Sequence, residues 1–502
     1  MKKTIKLLTM VILMLTALLA IEVGASDGVC YIGDNTEVTY ATLNEAISDA
    51  SAGDSIHLLD DAVLGTEGSQ MNISKSLIID GTNGEEVFSI ALLGNIQIIN
   101  NDLGLTLSNV NVDLGGFHFK VTGTEKDCTF TLGEGAVLEN GGATNGGAIE
   151  TYTTGSAELN VVMEQGSIIR NCETTANGAA VFLNGGTLTL NSGALIDSCV
   201  AGTNGGAIWV QNQGSVADGK LVVNGGTIEK CSAGTRGGAI RINSGTMDIS
   251  GDAVIKGNTV GDNEENIYLS NNEMLTLTGD FTGEAGISIA NAAEGVNFGL
   301  SESGVSGAEK LYSDADTTLV GSVNNGKLTF VKRRVCYIGD NKDEAFNTLG
   351  EAISAASEGD TIHLLSDAEL GDASTRINIT KSLVIDGDNG EGEDFIITLV
   401  NNVQIINNST GIKFTNTVID LNGFHLLVTV TDKSCKFTLG EGAVMENGGA
   451  VNGAAIETNR AGTPELEVVL DEGSVVRNCT ATANGGAFFL RRHSQNKFRS
   501  ID

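Results

Sequence analysis

The chain has 502 residues, of which 29 are Lys or Arg and 63 are Asp or Glu, for a formal charge of −34 at neutral pH. Charge of that sign repels nucleic acid and anionic lipid headgroups, while 41% hydrophobic against 18% charged residues does not fit a disordered chain. Sixty-six glycines beside one proline, Pro464, exclude collagen and proline-rich linkers, and eight cysteines without a CxxC or Cys/His cluster exclude a disulfide scaffold or zinc module.

Lys2, Lys3 and Lys6 precede an apolar run from Leu7 to Ile21 and then Val23-Gly24-Ala25, so residues 1–25 are expected to be a cleaved signal peptide. An uncleaved membrane anchor is the alternative. The mature chain is then expected to be secreted or held at a cell surface, with no membrane contact beyond the signal peptide. From Tyr40 the sequence is "YATLNEAISDASAGDSIHLL". Leu43, Ala46, Ile47 and Ala50 fall on one helical face, and Gly53-Asp54 ends the helix before a strand from Ser55 to Leu59. Such a helix is suited to covering an open strand edge.

From residue 145 a pentapeptide recurs: Asn145-Gly-Gly-Ala-Ile149, Asn177-Gly-Ala-Ala-Val181, Asn204-Gly-Gly-Ala-Ile208 and Arg236-Gly-Gly-Ala-Ile240. Between successive copies lie Ile169-Arg-Asn-Cys172, Ile196-Asp-Ser-Cys199 and Ile228-Glu-Lys-Cys231, with short alternating runs such as Thr187-Leu-Thr-Leu190. Each period holds about three short β-runs and no room for a helix, the signature of one coil of a parallel β-helix. Gly146, Gly147, Gly205, Gly206, Gly237 and Gly238 are the corners, where a side chain would crowd the turn. Coils stack about 4.8 Å apart, so repeated positions become ladders. Cys172, Cys199 and Cys231 are expected to stack as buried thiols, with Asn258 continuing the column. Alternation turns Ile149, Val181, Ile208 and Ile240 inward and Glu150, Phe182, Trp209 and Arg241 outward, giving an exposed aromatic step flanked by charges. Longer coils carry extra residues just beyond, "ETYTTGSAE" from Glu150 and "VQNQGSVADG" from Val210. Loops on a rigid scaffold are where binding usually resides.

The whole pattern then repeats. Cys30-Tyr-Ile-Gly-Asp34 returns as Cys336-Tyr-Ile-Gly-Asp340, and Arg170-Asn-Cys172 as Arg477-Asn-Cys479. The domains are a first β-helix unit over 26–331, a basic linker at 332–335, and a second, shorter unit over 336–490 with its own helix in "FNTLGEAISAASEGDTIHLL". Residues 491–502, "RRHSQNKFRSID", read as a basic tail without a β pattern, either natural or the product of a frameshift.

The phrases "SKSLIIDG" and "TKSLVIDG" after each cap resemble the opening of the pectate-lyase-like right-handed parallel β-helix superfamily. The Gly-Gly-Ala-Ile corners, alternating with elements such as Val137-Leu-Glu-Asn140, resemble the polymorphic outer-membrane-protein repeats of bacterial surface adhesins. This chain departs from those repeats at Ser198 and Lys230, which replace the asparagine. The resemblance implies an all-β, right-handed, duplicated parallel β-helix of adhesin type. It would bind an extracellular glycan, a protein or another copy of itself, without catalysis. Phe182, Trp209, Arg241 and Glu150 are the expected contacts. The alternatives are a pectin-degrading lyase or hydrolase, and a spacer or remnant of a larger surface protein. His57, His118, His363 and His425 are better placed as strand residues than as bases, and Asp113 and Asp420 as turn formers than as calcium ligands. No cofactor is expected; calcium is the ion its scattered Asp and Asn would suit best.

Overall fold

The computed structural model describes residues 28–500 except 154–156, 213, 215–217, 272–273, 343, 372–375, 389–394, 461–462 and 491–495. The expected signal peptide and the tips of the longer loops lie outside the described residues. No described helix is long and apolar enough to cross a membrane. The chain divides after Val331 into two compact units.

Alternating short runs between glycine corners do form coils. In the first unit, each coil places one strand in each of three parallel sheets. The first sheet runs from Ser55–Leu58 to Leu275–Phe281, the second from Ala62–Leu64 to Val254–Ile255, and the third from Met71–Ile73 to Ile267–Leu269. A fourth, narrow sheet of very short strands follows the second one from Gly142–Asn145 onward. Inward positions stack as expected: Phe119, Ile149, Val181, Ile208, Ile240 and Ile267 form one column, fully buried. Each such side chain contributes about 1.5–3 kcal/mol on burial.

The corner pentapeptide bends because its first glycine adopts a left-handed conformation, as Gly205 does at φ +58°. The second glycine is needed for a different reason. A Cβ on Gly206 would lie 1.9 Å from the carbonyl oxygen of Gly238 in the next coil. The turn after the second sheet is also left-handed, at Asn140, Asn171, Ser198 and Lys230. Asparagine tolerates that region better than most side chains, which explains why it recurs there.

Each unit begins with a capping helix, α1 (Leu43–Asp49) or α2 (Leu349–Ala355), whose buried residues meet the first coil. Thr42 and Thr348 cap the N-termini, accepting from the N–H of Glu45 and Glu351. A lysine from the following coil clamps the other end. Lys75 Nζ donates to the carbonyls of Ile47, Ser48 and Ala50, and Lys381 repeats this on Ile353, Ser354 and Ala356. The first unit closes with antiparallel pairing of Asn297–Ser301 and Lys327–Lys332, where Phe298 stacks on Phe330.

The second unit repeats the architecture, its first sheet running from Thr361–Leu364 to Asn496–Ser500. Two boundaries differ from expectation. Val335 is buried in the second unit's core, so the linker is shorter than 332–335. Asn496–Ser500 is a strand, parallel to Leu466–Leu470; pairing through backbone groups does not require the apolar alternation whose lack made the tail look irregular.

Candidate ligand-binding face

The outward ladder of the third sheet runs in the expected order, Glu150, Phe182, Trp209 and Arg241; Lys120 precedes it, and it continues to Tyr268 and Ser288. The aromatic step, however, is not exposed. Phe182 and Trp209 are each only 7% accessible. Coil spacing sets flat side chains about 4.8 Å apart along the ladder. The Arg241 guanidinium lies 5.2 Å from the Trp209 ring centroid and 5.3 Å from that of Tyr268, sandwiched between them. Trp209 Nε1 donates to Gln211 Oε1 at 3.1 Å, and Gln211 in turn donates to Asn184.

Arg241 also completes a ladder of corner amides. Asn177 donates to Asn145 Oδ1 at 3.1 Å and Asn204 to Asn177 Oδ1 at 2.9 Å. In the next coil arginine stands at the asparagine position, and Arg241 Nη1 donates to Asn204 Oδ1 at 2.7 Å instead. Arg241 Nε is buried without a partner, and burial disfavours the charge on this side chain. Arg241 is thus a packed member of the column. Arg236 is the exposed guanidinium, 5.0 Å from the Tyr268 centroid and paired with Glu265 at 3.2 Å.

Two tyrosines that the sequence pattern did not single out supply the accessible rings. Tyr152 shares the outward face with Glu150 and is 44% exposed. Tyr268 is partly exposed, at the C-terminal end of the ladder. Parity with Glu150 was the available signal for Tyr152. Tyr268 follows Asn263-Glu-Glu-Asn-Ile267, a corner that has lost both glycines and so hides its register. Four coil steps separate Glu150 from Tyr268, about 19 Å along the axis.

Glu150 sits at the other end of the column among charged neighbours. Its Oε2 lies 3.8 Å from Lys120 Nζ and 3.7 Å from His118 Nε2. Burial raises the Glu150 carboxyl, and Lys120 opposes that shift. His118 is 7% accessible, and neither ring nitrogen has a hydrogen-bond partner.

The remaining predicted residues take structural places. Cys172, Cys199 and Cys231 are buried free thiols, each directed at the carbonyl two residues earlier. Interaction with the thiols on either side raises the Cys199 pKa. Asn258 is buried beyond them, its Oδ1 accepting from Cys231 N. Asp113 and Asp420 form turns, accepting from the N–H of Gly115 and Asn422, and each also holds the corner asparagine of the next coil. His57 stacks on Tyr31 and faces Asp80 at 3.4 Å, and His363, Tyr337 and Asp386 repeat the arrangement at 3.5 Å. Among the described residues, no group of three or more His, Cys, Asp and Glu is placed to hold a metal.

Coils, caps and ladders together define a tandem parallel β-solenoid protein. No family model matches the chain, and neither does any curated protein. Among solved structures, the PL6 family alginate lyase AlyGC, in an arginine-to-alanine mutant form, is similar at 13% identity and a TM-score of 0.19. The match covers 87% of this chain and 84% of that one. A score that low carries no argument about activity.

Proposed function

We propose that the protein is a secreted or surface-displayed binding protein of adhesin type, which engages an extended extracellular glycan along the outward third-sheet face of its first unit. The observation that supports this is the ladder from Glu150 to Tyr268. It is a rigid row of planar side chains, with an accessible tyrosine at each end and the Arg236 guanidinium beside Tyr268. Aromatic rings on a fixed scaffold offer large contact area at low entropic cost. The roughly 19 Å span, four coil steps long, suits an extended polymer better than a single sugar.

A second reading, polysaccharide cleavage, is favoured by one feature, the unpartnered His118 beside Glu150 and Lys120. One experiment separates the two. The mature protein and its Tyr152→Ala and Tyr268→Ala variants would be applied to glycan and matrix-protein arrays, with parallel assays of polygalacturonate and alginate cleavage with and without calcium. Glycan binding weakened roughly tenfold by either variant, about 1.4 kcal/mol, is the expected result. Cleavage of either polymer would overturn the non-catalytic reading. Binding indifferent to both tyrosines would remove the face from consideration.

A further inference from the structure

His118 immediately precedes the strand Phe119–Gly123, in phase with the outward Lys120 and Thr122, yet it is buried where Lys120 is partly accessible. The backbone on both sides explains how it is held. The preceding coil accommodates it through Asn95, whose Oδ1 accepts from His118 N, and Ile96, whose N–H donates to His118 O. The following coil holds the adjacent residue, as Phe119 N donates to Ala148 O. Asn145–Ala148 is the glycine corner described above, so His118 lies one coil beneath a turn.

A buried imidazole with both nitrogens unpartnered is costly, and the cost rises steeply if it takes a proton. The charged groups facing it are Lys120, two residues further along the chain, and Glu150 on the next coil; the preceding coil brings the amides Asn95 and Gln97. Lys120 already shares Glu150 Oε2, so a protonated His118 would be a second cation competing for one half-buried carboxylate. The second unit repeats the pair with Leu427 in place of Lys120 and with Arg376 as the nearby cation; His425 faces Glu457 at 3.9 Å, and its side chain is more accessible.

We infer that the His118 site is an acid-sensitive latch, in which protonation of the imidazole loosens the corner at Asn145–Ala148 and the neighbouring start of the third-sheet strands. The proton comes from solvent, and no other co-reactant is needed. Burial, and secondarily Lys120, hold this imidazole down to about 4, so it is neutral and the latch closed at neutral pH. Loosening there would reach Glu150 and, through it, the covered edge of Phe182.

Hydrogen exchange followed by mass spectrometry on the intact mature protein tests this, at pH 7 and pH 4.5 with the intrinsic pH effect removed. Segments 116–123 and 142–153 are expected to lose protection at least tenfold in acid, while 423–430 and 449–460 lose clearly less. His118→Phe should abolish the difference and Glu150→Gln should leave it. Unchanged protection in the wild type, or acid loosening that survives His118→Phe, overturns the inference; so does loss of the effect in Glu150→Gln alone. If His118→Phe does not fold, the imidazole resonances of the wild type decide. His118 titrating well below the ordinary imidazole range supports the latch, and His118 titrating within that range overturns it.

Discussion

At Ser198, the left-handed turn position that asparagine fills in the two preceding coils carries a residue less suited to it, at φ +54°. Ser198→Asn should therefore stabilise the first unit by up to about 1 kcal/mol, seen as a higher denaturation midpoint with unchanged slope. The neighbouring corner predicts the opposite sign. Gly206→Ala would drive a methyl group into the Gly238 carbonyl, and overpacking of this kind costs about 1–3 kcal/mol. Gly205→Ala would meet both a left-handed φ, at about 1–2 kcal/mol, and a close approach, its Cβ 2.2 Å from the Ile208 carbonyl oxygen. Both glycines could be placed at a corner from spacing alone. That Gly206 is required by a close approach was not legible, because it depends on where the next coil's carbonyl lies. The same limit applies to Phe182 and Trp209: alternation assigned their face, but exposure depends on ladder neighbours one coil away.

Elements were legible where a repeat marked them and obscure where a single contact did. Helices α1 and α2 follow from apolar spacing, yet nothing in "SKSL" or "TKSL" announced that its lysine clamps the preceding helix. An ammonium donating to three C-terminal carbonyls both satisfies them and faces the negative end of the helix dipole. Lys75→Met should leave the coils intact and release α1, detectable as faster exchange of residues 43–50 while the strands keep their protection. The thiol column was visible from the Ile-x-x-Cys spacing. Coil stacking keeps neighbouring Cβ atoms parallel at about 4.8 Å, beyond the 3.5–4.5 Å a disulfide requires. Seven of the eight thiols are buried and Cys479 is partly accessible. A thiol-reactive reagent should therefore label Cys479 first in the native protein, and the ladder cysteines only on unfolding. Rapid labelling of Cys199 without denaturant would contradict the packing.

On the scale of the molecule, the duplication was plain in the sequence because whole phrases recur. The fate of the chain's last residues was not, since Asn496–Ser500 lacks an apolar alternation and is a strand only by pairing with Leu466–Leu470. The two units have separate hydrophobic cores, and repeat architectures lose stability in sections. The only tryptophan, Trp209, belongs to the first unit and is buried. Its emission should be blue-shifted and poorly quenched in the native state. In denaturant it should follow the first unit alone, while far-ultraviolet circular dichroism follows both. Coincident curves from the two probes would mean that the units unfold as one.

The capped beginning of each unit has a consequence for how the chain reaches its fold. Asn177 finds Asn145 only 32 residues earlier, and Asn204 finds Asn177 only 27 earlier, so each new coil needs little more than the coil just before it. Loop closure of that length is inexpensive and nearly constant along the axis. The helix and its clamping lysine occupy the one edge that has no predecessor. A chain emerging N-terminus first, from a ribosome or through a narrow translocation pore, can therefore wind itself up in order of arrival, with α2 starting the count afresh.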